Sequence, residues 1–374
     1  MKANLQVQKI DYKASKKGPS LTNKIKSIFQ QNASSNLKVE SFEVNAAEPT
    51  PANIANIDPS LDLLQTSIFS QENGLRKQFG GDQGSLAANL ESFLRDSKIR
   101  RILDKYYPGA SDEDLELLFN RINFVGCGYV AFINTILYQF EGREVEFEEK
   151  FGFPMYTVNF EDGPAYKQYN YEYLILDFFL YYAKNERGFQ TIQEAYGNVA
   201  EEMALRSQDG ALDDKKFDRT GMGGTNREVV GRVATQYLAE RGIQCSIKEI
   251  TDEKMAYQPG TPEWEAKKIE MEEAGYQVSD DDILYGPITN DVIKEKIRRG
   301  ENFIVSAQDF HMFYPYDVDG NGQLDDVYNS SVGSHAMTLV GFTDDGRYIV
   351  SSWGQVFILD PEMDPIAIME YNYE

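Results

Sequence analysis

The sequence predicts an α+β fold, and three observations carry that expectation. Helical apolar spacing dominates the chain up to about residue 240, and short alternating apolar segments dominate from about 302 to 372. Two helix-glycine-strand units join the two regimes. Helices first and an antiparallel sheet last differ from the strand-helix alternation of a doubly wound fold. At 374 residues and 41 % hydrophobic content the chain is long enough to bury a substantial core.

Residues 1–60 read as a basic leader and linker, suited to a propeptide or export segment. The first 40 carry eight lysines against Asp11 and Glu40, so with a total formal charge of −23 the remainder stands near −29. Within it "LTNKIKSIFQQ" has the spacing of a short amphipathic helix, and "NAAEPTPANIANIDPS" reads as an extended linker. No apolar segment follows the first lysines, so a secretory signal is not expected, and no stretch is long enough to span a bilayer. Cytoplasmic residence, export by a signal-independent route and secretion with the signal already trimmed all fit. A body this acidic repels nucleic acid and anionic membranes, which excludes both as partners of the body.

Residues 61–374 read as one domain. After the glycine-rich "FGGDQGS", "LAANLESFLRDSKIRRILDKYY" has helical spacing and stops at Pro108. "SDEDLELLFNRIN" opens with a capping-box pattern, Ser111 and Asp114. "VGCGYVAFINTILYQF" is a helix too apolar to lie on a surface. The stretch from about 150 to 285 reads as a helical insertion, aromatic-rich at first, with a polar glycine-containing loop at 206–226. A helix then stops at Gly242 before a strand carrying Cys245, and "ITNDVIKEKIRRGENFIVSAQ" repeats that pattern.

Two cysteines cannot build a disulfide framework, so either is available as a reagent. Cys127 opens the buried helix, where unpaired amides and the helix dipole favour thiolate. Gly126 and Gly128 let a substrate backbone approach, and let the Cys127 amide serve as an oxyanion donor. Cys245 has no such flanks and is assigned to the core. Far downstream, "GSHAMTLVGFTDDGRYIVSSWG" is a hairpin whose "TDDG" suits a three-residue loop with Gly346 left-handed. That loop puts His335, Met337, Leu339, Ser351 and Trp353 on one face. Upstream of it, Asp317, Asp319, Asn321, Gln323 and Asp325 alternate as calcium-wrapping loops do, with Gly322 at the turn, so a structural Ca2+ is expected there. Tyr328 replaces the usual closing glutamate, and His311 reads as packing.

A glycine-flanked cysteine opening a buried helix, then a histidine opening a strand, resembles the papain-like cysteine peptidase superfamily. "G-C-G-Y-V-A-F" stands for that family's C-G-S-C-W-A-F, "HAM" for its H-A-V and "SSWG" for its N-S-W-G. The sixteen residues from His335 to Ser351 match the family's His-to-Asn spacing. The "CGYVA" style is similar to bacterial branches, including the leader peptidases of bacteriocin transporters. The resemblance implies a papain-like α+β fold, its helical half carrying the cysteine helix and its C-terminal antiparallel sheet the histidine. It implies a peptide or protein substrate and no cofactor for the chemistry. Cys127 would be nucleophile, His335 base, Ser351 the orienting residue and Trp353 a shield. Two departures stand out: Arg121 occupies the oxyanion glutamine's place, with Asn123 or Asn120 as nearest substitutes, and Ser351 replaces Asn or Asp. A transglutaminase-like acyl transferase shares the Cys-then-His order, and an inactive papain-fold binding or effector protein is the non-enzymatic alternative.

Overall fold

The computed structural model describes residues 61–63, 71–73, 76–78, 80–159, 166–185, 188–196, 227–251, 254–308, 311–315, 324, 326–329, 334–361 and 366–374. The fold is α+β, a set of helices laid against a mostly C-terminal antiparallel sheet. The principal helices are α1 (Ser97–Tyr106), α2 (Asp112–Val125), α3 (Cys127–Gln139), α4 (Tyr171–Asn185), α5 (Arg227–Ala239), α6 (Pro262–Glu273) and α7 (Asn290–Arg298). None among the described residues is long and apolar enough to cross a membrane.

Local chemistry sets these boundaries. The helix read as continuous over 86–107 is three pieces, because Asp96 adopts extended backbone and caps α1, accepting from the Lys98 N–H. The capping box of α2 is present: Ser111 Oγ accepts from the Asp114 N–H at 3.1 Å, and Asp114 accepts from the Ser111 N–H at 2.9 Å. α3 is buried continuously from Gly128 to Leu137, as its sequence requires.

The strands of the main sheet and of one smaller pair are β1 (Leu61–Leu63), β2 (Cys245–Glu249), β3 (Lys254–Tyr257), β4 (Leu284–Pro287), β5 (Asn302–Gln308), β6 (His311–Phe313), β7 (Asp326–Asn329), β8 (Ser334–Thr343), β9 (Tyr348–Ser352), β10 (Gln355–Leu359) and β11 (Ile366–Tyr373). The main sheet runs β7-β6-β10-β9-β8-β5-β11-β2, with β1 against the end of β8, and every pairing is antiparallel. Cys245 lies in β2 and is buried, as expected.

The segment read as a helical insertion is mixed. Tyr156–Asn159 pairs with Tyr166–Tyr169 and β3 pairs with β4, while β2 belongs to the main sheet. α4 and α5 are core elements that pack on α3. Phe132 meets Phe178 with ring centroids 4.5 Å apart, and Phe178 meets Tyr237 at 5.0 Å. Next to Phe178, Asp177 accepts from Lys105, Tyr106, Tyr237 and Arg241, four donors on one buried carboxylate.

The sheet has two covered faces. Ala336, Val340 and Ile349 join the helical core around α3, while Met337, Leu339 and Val350 join a second core with Ile293 and Ile297 of α7. Alternation along β8 therefore points successive residues at different cores.

Candidate active site

The site forms where the start of α3 meets the start of β8. α2 ends and α3 begins at Gly126, where a Cβ would stand 2.3 Å from the Ile122 carbonyl oxygen. Gly126 thus permits a tight helix-helix junction, a different task from the substrate approach expected of it. α3 is fastened to the sheet by buried hydrogen bonds: Asn134 Nδ2 donates to Thr338 Oγ1 at 3.1 Å, and Thr338 Oγ1 donates to the Ala131 carbonyl at 3.2 Å. Asn134 Oδ1 also accepts from the Gly81 N–H at 2.9 Å, and the Gly81 carbonyl accepts from the Gly354 N–H at 3.1 Å. One asparagine thereby gathers α3, β8 and the glycine-rich loop, and that loop holds the turn after β9.

A small cavity results, lined by Gln83, Cys127, Ala336, His335, Ser351, Ser352 and Trp353 among others. Cys127, His335 and Ser351 all line it, but the hydroxyl that meets the imidazole is a different one. His335 Nε2 meets Ser352 Oγ at 2.6 Å, whereas Ser351 lies opposite Thr338 on the α3 side of the sheet. The cause is a β-bulge between Leu339 and Gly341, which shifts the β8–β9 register by one and exchanges the faces. The "TDDG" turn itself is as expected, with Gly346 at φ +89°. A glycine inside a strand marks a bulge, so Gly341 was the available signal.

Trp353 stacks on His335, ring centroids 4.4 Å apart and planes inclined 19°. Its φ is +47°, the one positive value at a non-glycine position among the described residues. A bulky side chain in the left-handed region is strained, and here the strain places the indole over the imidazole.

Asn123 does not line the cavity; its carbonyl accepts from Gln83 Nε2 at 2.7 Å. Gln83 is the carboxamide that reaches the cysteine's cavity, and sequence reasoning missed it. It rides on "FGGDQGS", where the Asp82 carboxylate accepts from the Gly84 N–H at 2.8 Å and shapes the turn. Gly80, at φ +81°, leaves no room for a Cβ, which would stand 2.4 Å from Ser351 Oγ. Arg121, in the sequence position of an oxyanion glutamine, is buried in α2 and does not line the cavity.

Burial dominates the electrostatics. It pushes the Cys127 thiol above its ordinary value, against the pull of N–H groups of Ala336, Gly128 and Cys127 itself. It lowers His335 to about 3. The depressed thiol expected from the helix start is therefore corrected: desolvation outweighs the helix-terminal amides at a partly buried cysteine, and thiol and imidazole both favour their neutral forms. Cys245 is pushed up to about 12 by burial and by the Glu374 carboxylate.

A second small cavity shares Ala336 with the first and is walled by Gly128, Val230, Ile304, Met369 and Tyr371. The loop expected to hold calcium, Asp317, Asp319, Asn321, Gln323 and Asp325, lies outside the described residues. Among the described residues no three metal-ligating side chains cluster. Comparison with protein-family models, with curated proteins and with solved structures gives no match for this chain.

Proposed function

We propose that this chain is a papain-like cysteine peptidase that cleaves peptide or amide bonds. The observation that carries the reading is the convergence, on one cavity, of Cys127 at a helix start, His335 at a strand start and Gln83 from a distant loop, with Trp353 stacked on the histidine. With Ser352 accepting from Nε2–H, the imidazole keeps its lone pair on Nδ1, the nitrogen suited to take the thiol proton. As that proton moves to His335, sulfur attacks the scissile carbonyl carbon. The carbonyl oxygen becomes the oxyanion, held by the Cys127 N–H and a Gln83 N–H. Collapse breaks the C–N bond, and His335 returns the proton to the departing amine. Water, deprotonated by His335, then releases the acid from the thioester and restores the thiol. Proton transfer concerted with attack suits a buried, uncharged pair better than a standing ion pair does.

The test is acylation by a peptidyl vinyl sulfone or epoxide, located by mass spectrometry. Modification of Cys127 that vanishes in His335→Ala supports the reading; a folded protein that ignores every such probe refutes it. The second reading, an inactive papain-fold binding protein, is favoured by the same burial that keeps thiol and imidazole uncharged. It predicts that probe-resistant outcome. A transglutaminase-like acyl transferase would instead transfer the trapped acyl group to an added amine faster than to water.

A further inference from the structure

Between β2 and α7 the chain makes an excursion with its own small core. Trp264 of α6 packs with Tyr257 of β3 and Leu284 of β4, and Trp264 Nε1 donates to the Asp282 carbonyl at 2.7 Å. Its outer surface is apolar to an unusual degree. Six large apolar side chains stand out as exposed among the described residues. Four belong to this excursion: Tyr276 (63 %), Tyr285 (57 %), Ile269 (56 %) and Ile283 (50 %). Ile283, just before β4, and Tyr285 flank the buried Leu284, so alternation places both on the face of the two-stranded β3–β4 sheet turned away from Trp264. Exposed apolar surface on a lone two-stranded sheet marks a site that something covers.

Charge indicates what covers it. Residues 254–287 carry eight carboxylates against three lysines. Two of those lysines are already paired on the excursion, Lys267 with Glu270 and Lys268 with Glu272 and Asp280. The complementary segment lies in the same chain. Residues 1–40 carry eight lysines against two acids, and 21–29, "LTNKIKSIF", alternate apolar positions with Lys24 and Lys26. The point of attachment is also favourable. Leu61 of β1 pairs with Thr343, whose turn ends in Gly346, and the Gly346 carbonyl accepts from Asn290 Nδ2 at 2.8 Å. Asn290 opens α7, three residues past the end of β4. The basic segment is thus joined to the fold next to the acidic excursion, with 31 residues between Phe29 and Leu61.

We infer that the face of the two-stranded β3–β4 sheet bearing Ile283 and Tyr285 is the docking site of this chain's own basic segment 21–29. The apolar positions of the segment cover that face, and Lys24 and Lys26 meet the carboxylates of 270–282. This inference stands independently of the peptidase reading.

Carbodiimide cross-linking of the full chain with mass spectrometry tests it. The expected result is links from Lys24 or Lys26 to Glu270, Glu272, Glu273 or Asp280–Asp282, recovered from the monomer. Two double variants, Ile283→Ser/Tyr285→Ser and Lys24→Glu/Lys26→Glu, are each expected to cut these links at least about fivefold, as is about 0.5 M salt, which screens exposed charges. Ile283 and Tyr285 are exposed, so their variant keeps its melting temperature and the comparison is between folded proteins. Links found solely in covalent dimers make a second copy the occupant and overturn the inference. So do links from the lysines spread over acids elsewhere, unaffected by either variant.

Discussion

Replacing Ser352 by alanine removes the hydroxyl that meets His335 Nε2 at 2.6 Å. A neutral hydrogen bond of this kind contributes about 1 kcal/mol net, and about 1.4 kcal/mol corresponds to tenfold in rate. Its loss lets the imidazole rotate and frees the tautomer that leaves Nδ1 basic. Ser352→Ala is therefore expected to slow acylation of Cys127 by about tenfold. Stability falls as well, by about 1–2 kcal/mol, because a buried ring N–H loses an acceptor. Ser351→Ala is the matched control. Its hydroxyl lies on the α3 side, near Gly80 and opposite Thr338, so its rate is expected to stay within about twofold of the parent, less than 0.5 kcal/mol. The assay is the second-order rate of inactivation by a peptidyl vinyl sulfone, with a melting curve for each variant. A tenfold slower, normally folded Ser351→Ala beside a near-parental Ser352→Ala would refute the bulged register and restore the simple hairpin parity.

Four further outcomes are expected. His335 titrates near 3 in the folded chain, below its ordinary 6.5. The unfolded chain thus binds a proton that the native site refuses, and stability that is full above pH 6.5 is lost as pH falls toward 3. Urea titrations of the parent and His335→Gln check this, the variant losing less over that interval. Iodoacetamide is expected to label Cys127 slowly at pH 7 and faster on the alkaline side, with Cys245 protected until unfolding; a Cys127 rate constant from pH 5 to 8 would show a standing ion pair instead. Gly80→Ala meets both φ +81° and a Cβ 2.4 Å from Ser351 Oγ. It is expected to cost about 2–3 kcal/mol and to slow acylation, with Gly80→Ala/Ser351→Gly recovering part of the stability in the same denaturation assay. Asp177→Asn leaves the buried Arg241 side chain without its carboxylate, a loss of about 3 kcal/mol by denaturant unfolding.

Much of this organisation was legible because it is local. The capping box at Ser111, the glycine stops at Gly242 and Gly300, and the apolar run of α3 each encode their element within a few residues. The positions of Cys127 and His335 at the starts of α3 and β8 were legible for the same reason, since each element is marked locally. What was not legible depends on tertiary placement. Gln83 reaches the cysteine because Asn134 binds the Gly81 N–H, a contact no local pattern announces. Ser352 replaces Ser351 because one extra residue in β8 shifts the ladder, and an error of one inverts every assignment beyond it. The thiol's electrostatics were misjudged because helix position can be read from sequence, whereas the depth of burial cannot.

The placement of β11 bears on the order in which the chain can be made. That strand lies between β5 and β2, Ile366 opposite Ala307 and Tyr373 opposite Cys245. The tie between α3 and β8 joins residues 204 apart. During synthesis the apolar α3 emerges long before any strand that shields it, so the growing chain must be sheltered from association at that stage. The thiol emerges with it, but the histidine and the sheet that aligns it come more than half a chain later. Until the ribosome has passed Trp353, the last residue lining the cavity, the nascent polypeptide carries the cysteine without its surroundings. The sheet behind it is complete only once β11 has entered between β5 and β2.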